Sequence, residues 1–320
     1  PLIKNNRNAL NLNDDVFYDH TNKVVISLDT YNNKIHFPNF KYPDLVIKKI
    51  IRSSISDLIC KGVKPKYYFI SASAPKGVFN NSNLKIISKT LNKEQYKYGI
   101  KISGGDTTVS NTLSFTVIVL GYSNKIIKRK NSKKNDDIYV TGNIGDSYVG
   151  LQIIKNKFKK VNVIDKNFFT KKYYCPEVPY KYIDAIKLYA SSSIDISDGI
   201  FEDLLKLINL KKYSFKLEIN KIPISTKMKN FLTCNNLKKH RYIHKGDDYQ
   251  ILFTAPKKNR GKILNISKKL KQKITIIGQI YDKTEDNVLI NGKKRLNIRD
   301  FKGYSHKFWK VIYCLLFFFL

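Results

Sequence analysis

Ile102-Ser103-Gly104-Gly105-Asp106-Thr107-Thr108 is the stretch from which the rest of the chain is read. Two glycines without a Cβ let the backbone approach a bulky anion. The carboxylate and hydroxyls that follow can reach a hard cation bound to that anion. The same residues are ordinary turn chemistry after a strand, so the motif alone leaves both readings open. A second acidic stretch, Ile194-Asp195-Ile196-Ser197-Asp198-Gly199-Ile200, repeats carboxylates beside glycine, and Asp14-Asp15, Asp29 and Asp57 stand at turns or element ends.

Working outward, residues 81–98 form a lysine-rich amphipathic helix, residues 67–74 and 113–122 read as strands, and Lys101 leads into a Gly-Gly-Asp-Thr-Thr turn. Residues 43–62 predict a helix, with Pro43 in the first turn and Gly62 as its stop. Asp57 lies near the negative end of that helix dipole, so it is either exposed or beside a cation, and a metal is one such cation. Residues 23–28 predict a strand ending at Asp29-Thr30, and His36 falls in a loop before Phe37-Pro38. Apolar periodicity is lost over residues 123–135, which marks a boundary; Arg129 there is either linker or a fork for phosphate oxygens.

Beyond it, strands are expected at 137–142, 192–196, 215–219, 250–254 and 273–280, and helices at 145–155, 176–190, 200–210 and 259–270. The Gly145-Asp146-Ser147 start looks like an anion-friendly helix N-terminus, and Asp198 reads as an N-cap or a ligand. The class is therefore α/β or α+β. The expected division is an N-terminal domain over 1–130, a C-terminal domain over 131–308 and an apolar tail over 309–320.

At 320 residues and 42% hydrophobic content the chain can bury a core for two domains. Its net charge of +34 suggests a polyanion partner, but the lysines are spread along the whole chain and the residue usage fits AT-rich codons. The expectation is that nucleic acid is not a partner. Cys60, Cys175, Cys234 and Cys314 form no CxxC pair, which fits a reducing cytoplasm rather than a zinc or disulfide framework. The start has no apolar signal region, and the apolar run 311–320 is about half of a membrane span, so no membrane association is expected.

The acidic motifs and their order resemble the thiamine-monophosphate kinase family, within the superfamily of aminoimidazole ribonucleotide synthetase. The likeness runs over residues 13–308 and includes Ser27-Leu28-Asp29-Thr30 with His36, Ser56-Asp57-Leu58, residues 103–108, Tyr139-Val140-Thr141-Gly142, Gly145-Asp146-Ser147, residues 194–199, Gly246-Asp247-Asp248-Tyr249 and Gly303-Tyr304. It implies a two-domain fold, an N-terminal mixed sheet with helices followed by a C-terminal α/β domain. It also implies a homodimer joined through the N-terminal domains, and transfer of phosphate from ATP to thiamine monophosphate. By position, Asp15, Ser27, Asp29, Asp57, Asp106, Asp195 and Asp198 would hold Mg²⁺, with Asp106, Asp29 and Asp198 as the catalytic set. Gly105, Asp106, Arg129 and Ser197 would meet ATP, and His36, Asp247 and Tyr304 the thiamine phosphate. The chain departs from the family pattern at Asn13, usually Gly, at Leu28, usually Thr, and at Asp247, usually Glu. Leu28 removes an oxygen near the metals, and Asp247 is one methylene short. The other readings are an ATP-using relative with a different acceptor, and a basic nucleic-acid-binding protein.

Overall fold

β-branched and aromatic runs become strands, and the lysine-rich amphipathic stretches become helices laid against them. The computed structural model describes residues 6–283, 287–298 and 301–304. The first half contains β1 (Phe17–Asp19), β2 (Val24–Asn32), α1 (Pro43–Cys60), β3 (Pro65–Ala74), α2 (Asn81–Tyr98), β4 (Lys101–Val109) and β5 (Ser114–Tyr122). The second half follows with β6 (Asp136–Thr141), α3 (Asp146–Ile154), α4 (Val163–Tyr174), α5 (Ile183–Tyr189), β7 (Ser192–Asp195), α6 (Ile200–Leu207) and β8 (Tyr213–Glu218). It continues through α7 (Thr226–Cys234), α8 (His240–Ile243), β9 (Ile251–Pro256), α9 (Arg260–Leu270), β10 (Ile274–Asp282), β11 (Val288–Asn291) and β12 (Lys294–Leu296).

Among the described residues the strands make two mixed sheets, ordered β1-β2-β5-β3-β4 and β12-β11-β8-β10-β6-β9-β7. The chain changes sheet between Tyr122 and Asp136. β3 and β4 run parallel, and so do β8 and β11, while the other pairs are antiparallel. The class is α/β, as the alternation of elements implies.

α1 joins the halves. Its side chains Val46, Ile47, Ile50, Ile51, Ile55, Leu58 and Ile59 are buried, and Ser53, Ser54 and Ser56 are small enough to let it lie close to β2 and β7. Charges on the same helix are buried too, so each requires a partner. Arg52 donates through Nε and Nη2 to the two oxygens of Glu94 on α2, at 2.8 and 2.9 Å, and through Nη1 to the Pro176 carbonyl at 3.3 Å.

Several local expectations are corrected. The Gly-Gly-Asp-Thr-Thr segment is not a turn but part of β4, an edge strand. Asp29 and Thr30 lie inside β2 rather than at its end. Residues 176–190 are not one helix: a short 3-10 turn, Tyr180–Tyr182, precedes α5, because Pro176 and Pro179 supply no amide donors. α4, α7, β11 and β12 had no counterpart in the sequence reading. The apolar tail 309–320 lies outside the described residues, and among those described no helix is long and apolar enough to cross a membrane.

Glu94→Ala strands the buried Arg52 guanidinium and is expected to lower stability by about 3 kcal/mol, measured by urea unfolding. A loss within experimental error would remove this pair from the forces holding α1 to α2.

Candidate active site

Five carboxylates meet where α1, β2, β7 and the segment before β1 come together: Asp14, Asp15, Asp29, Asp57 and Asp195. One oxygen each of Asp15, Asp57 and Asp195 lies within 4.8 Å of the other two, a spacing that suits a hard divalent cation. Ser56 donates to Asp195 Oδ2 at 2.9 Å. Tyr31 donates to Asp29 Oδ2 at 3.2 Å and itself contacts the Ser53 and Ser54 hydroxyls. Ser27 is buried beside this group, its hydroxyl 3.5 Å from the Ser54 carbonyl.

Two cations already face the carboxylates. Lys61 Nζ lies 2.7 Å from Asp14 Oδ1 and 2.8 Å from Asp15 Oδ2. Arg129 donates through Nε to Asp15 Oδ2 at 2.9 Å and pairs its Nη2 with Oδ1, while its backbone N–H meets Asp14 Oδ2 at 2.9 Å. Arg129 is thus drawn from the connecting segment into the site. The expected cation beside Asp57 is present as Lys61, whose charge acts on that carboxyl.

Burial pushes the Asp195 carboxyl up to about 7, with Asp203 adding to it, and the Asp29 carboxyl up to about 6. Asp57 is raised well above the usual carboxylate range by burial and then by Asp29 and Asp195. Lys61 is raised as well: burial works against its ammonium, but Asp14 and its other anionic neighbours outweigh it.

A second group of predicted residues gathers alongside. The turn after β7 and the loop before β9 touch backbone to backbone, since a Cβ on Gly246 would stand 1.6 Å from the Ser197 carbonyl oxygen. Asp247 N–H donates to Ser197 O at 2.9 Å, and Tyr304 N–H to Asp198 O at 2.8 Å. Asp198, Asp247 and Tyr304 are therefore neighbours. Lys49 Nζ lies 2.5 Å from Asp247 Oδ1 and 3.9 Å from the centre of the Tyr173 ring. Tyr173 OH donates to the His36 carbonyl at 2.9 Å, so His36 reaches Asp247 through Tyr173 and Lys49.

Asp198 is not an N-cap. Gly199 holds that position at φ 130°, and Asp203 on α6 accepts from the N–H groups of both Asp198 and Gly199 at 3.0 Å. The Asp198 carboxylate pairs with Lys206. Nor is the α3 N-terminus open to an anion, since Asp248 Oδ2 accepts from Gly145 N–H at 2.8 Å.

Asp106 stands apart from the other predicted aspartates within one chain. It pairs in register with Ser71, Ser71 with Thr116, and Thr116 with Thr30, so three strand spacings, roughly 14 Å, separate it from β2. Partners directly opposite share a face, which puts Asp106 with Thr30 and Leu28 on the side away from α1, and Asp29 on the other. Leu28 is 61% exposed there, pointing away from the acidic group. Gly105 packs against β3, where a Cβ would stand 1.9 Å from the Ile70 carbonyl oxygen. Lys49, Lys61, Asp14, Ser56 and Asp203 were missed. Lys49 and Asp203 are charges set within an otherwise apolar helical pattern and Lys61 follows directly on one, which was their signal, while Asp14 and Ser56 stand next to the named Asp15 and Asp57.

The chain matches the family model described as AIR synthase related protein, N-terminal domain, over residues 12–123. The thiamine-monophosphate kinase of Buchnera aphidicola subsp. Acyrthosiphon pisum (strain APS) is 33% identical over 288 residues, covering 89% of this chain and 87% of that protein. This chain belongs to the thiamine-monophosphate kinase family. The Escherichia coli (strain K12) member is 28% identical over 286 residues, covering 88% of this chain and 86% of that protein. In fold, the chain is similar to the Aquifex aeolicus thiamine monophosphate kinase, with a TM-score of 0.77 at 23% identity over 89% of this chain and 92% of that one. It is also similar to AaThiL complexed with AMPPCP and TMP, with a TM-score of 0.80 at 22% identity over 96% and 100% of the two chains.

Because the folded chain holds the Asp195 proton more tightly than the unfolded chain, where a carboxyl titrates near 4, ionising it weakens the fold as pH rises from about 4 to about 7. In metal-free protein, the melting temperature of Asp195→Asn relative to wild type is expected to climb across that window and level off above it. A difference that stays flat with pH would contradict the raised carboxyl.

Proposed function

We propose that this chain transfers the γ-phosphoryl group of ATP to thiamine monophosphate, giving thiamine diphosphate and ADP. The observation that carries the reading is the meeting of Asp15, Asp57 and Asp195 in a chain of this family, beside Asp198, Asp247 and Tyr304. The donor set fits magnesium: the three clustered ligands offer carboxylate oxygens, with no sulfur or imidazole among them.

In the proposed site Asp15, Ser27, Asp29, Asp57, Asp106, Asp195 and Asp198 hold Mg²⁺, which supplies charge neutralisation between the carboxylates and the triphosphate. Arg129, Ser197, Gly105 and Asp106 meet the nucleotide. Arg129 leaves Asp15 for phosphate oxygens, an exchange that its position on a connecting segment permits. His36, Asp247 and Tyr304 position the thiamine phosphate. Lys49 and Tyr249 hold the Asp247 carboxylate in place, and its charge suits the cationic thiazolium ring. A phosphate oxygen of thiamine monophosphate attacks the γ-phosphorus in line, and the bond to the β–γ bridging oxygen breaks. That oxygen nucleophile is already ionised at neutral pH, so no strong base is required; alignment and charge neutralisation do the catalysis.

Asp106 joins this site from a second copy of the chain. β4 is an edge strand exposed along its whole length, and Leu28 and Phe69 are exposed on the same outer face, so a partner sheet has a surface to cover. The working form is accordingly a homodimer joined through the first sheet, with residues 1–130 forming the nucleotide and dimer domain and 131–308 the second domain. We place it in the cytoplasm, which the free Cys60, Cys175 and Cys234 suit.

Purified protein with thiamine monophosphate, ATP and Mg²⁺ is expected to yield thiamine diphosphate and ADP; no product at any Mg²⁺ concentration ends the reading, and product from another acceptor alone redirects it. Asp106→Asn is expected to lower kcat by roughly a hundredfold or more with the fold retained. Mixing and reassembling Asp106→Asn with Asp195→Asn chains should restore about a quarter of wild-type activity, because in a symmetric dimer half the molecules are mixed and each carries one intact site. No recovery would mean that both residues serve the same chain's site.

A further inference from the structure

α1 ends at Cys60, and its C-cap residue, Lys61, turns its side chain into the acidic group with no exposure to solvent. An ammonium has three donors, and all three have acceptors: Asp14 Oδ1 at 2.7 Å, Asp15 Oδ2 at 2.8 Å and the Ser193 carbonyl of β7 at 2.9 Å. Asp14 is equally taken up. Its Oδ1 also accepts the Asp15 N–H and its Oδ2 the Arg129 N–H, each at 2.9 Å. Arg129 differs from Lys61, for its side chain is 17% exposed and sits on a connecting segment, whereas Lys61 is enclosed by α1, β7 and the Asp14-Asp15 turn.

We propose that Lys61 is a built-in cation of the site, standing between Asp14 and Asp15 where a divalent ion would otherwise bridge them, so that Asp14 is withheld from metal. This rests on reading Asp15, Asp57 and Asp195 as magnesium ligands. A permanent single charge at this point balances the carboxylates while the site is empty, and it limits how many divalent ions the site loads. Lys61 is a positioning residue here: it touches neither substrate, and acts through the two carboxylates it fixes.

The test is Mn²⁺ binding to the full chain, counted by electron paramagnetic resonance of the free ion, without nucleotide. Lys61→Met keeps the stem and removes the charge, and it should bind one further Mn²⁺ per chain or bind the first about tenfold more tightly or better. Asp14→Asn in the wild-type background should leave both number and affinity unchanged, and in the Lys61→Met background it should cancel the gain. Equal binding by wild type and a folded Lys61→Met overturns the proposal, as does loss of an ion in Asp14→Asn alone. Should Lys61→Met not fold, the Asp14→Asn single variant decides in the same two ways. If no variant binds Mn²⁺, the metal reading of the cluster fails and this proposal falls with it; equal, measurable binding sinks the role of Lys61 alone.

Discussion

A charged side chain inside a protein needs a partner of opposite sign or enough hydrogen bonds to replace water, and α1 carries several where no water reaches. Lys49, Ser53, Asp57 and Lys61 follow one another at intervals of four, which places them along one stripe of the helix. Within α1, Lys49 has no carboxylate one turn away, and Asp57 is the one carboxylate a turn from Lys61. Lys49 takes Asp247 from the loop before β9, and Lys61 takes Asp14, Asp15 and the Ser193 carbonyl. The helix thereby draws three distant segments against itself, and the acidic group forms where they arrive.

The two faces of the first sheet divide the work. Alternation along β2 turns Ser27, Asp29 and Tyr31 toward α1, and turns Leu28 and Thr30 outward. The inner face is closed by the helix and the outer face stays open, with Asp106 on its far edge strand. A Gly-Gly-Asp motif on an exposed edge is poorly placed to serve a site behind its own sheet. It is open instead to whatever lies against the outer face of the sheet, where Leu28 and Phe69 are exposed as well.

The group of Asp198, Asp247 and Tyr304 depends on close backbone approach as well as on charge. The turn at 197–199 and the loop at 244–247 touch so tightly that a Cβ on Gly199 would stand 2.1 Å from the His244 carbonyl oxygen. Asp247 is held at φ 69° by this contact and by Lys49. Here the shorter aspartate, in place of the family's usual glutamate, is anchored by an ammonium and by Tyr249 rather than left to find its own position.

Much of this was legible beforehand. The 3.6-residue pattern of α1, the amphipathic α2 and the β-branched β5 announced their elements, and the spaced aspartates announced both phosphate chemistry and the family. Pro176 and Pro179 show where periodicity misled, since apolar residues at helical spacing do not form a helix when amide donors are missing. Sequence by itself determined which groups the chain has available and in what order they occur, because local spacing is written in neighbouring residues. Tertiary structure decided that Asp29 and Asp106 lie on opposite faces of one sheet, and that Lys49 and Lys61 are inside. Strand order and burial are set by residues far away along the chain, and the pairing of a buried charge follows from whichever distant segment packs beside it.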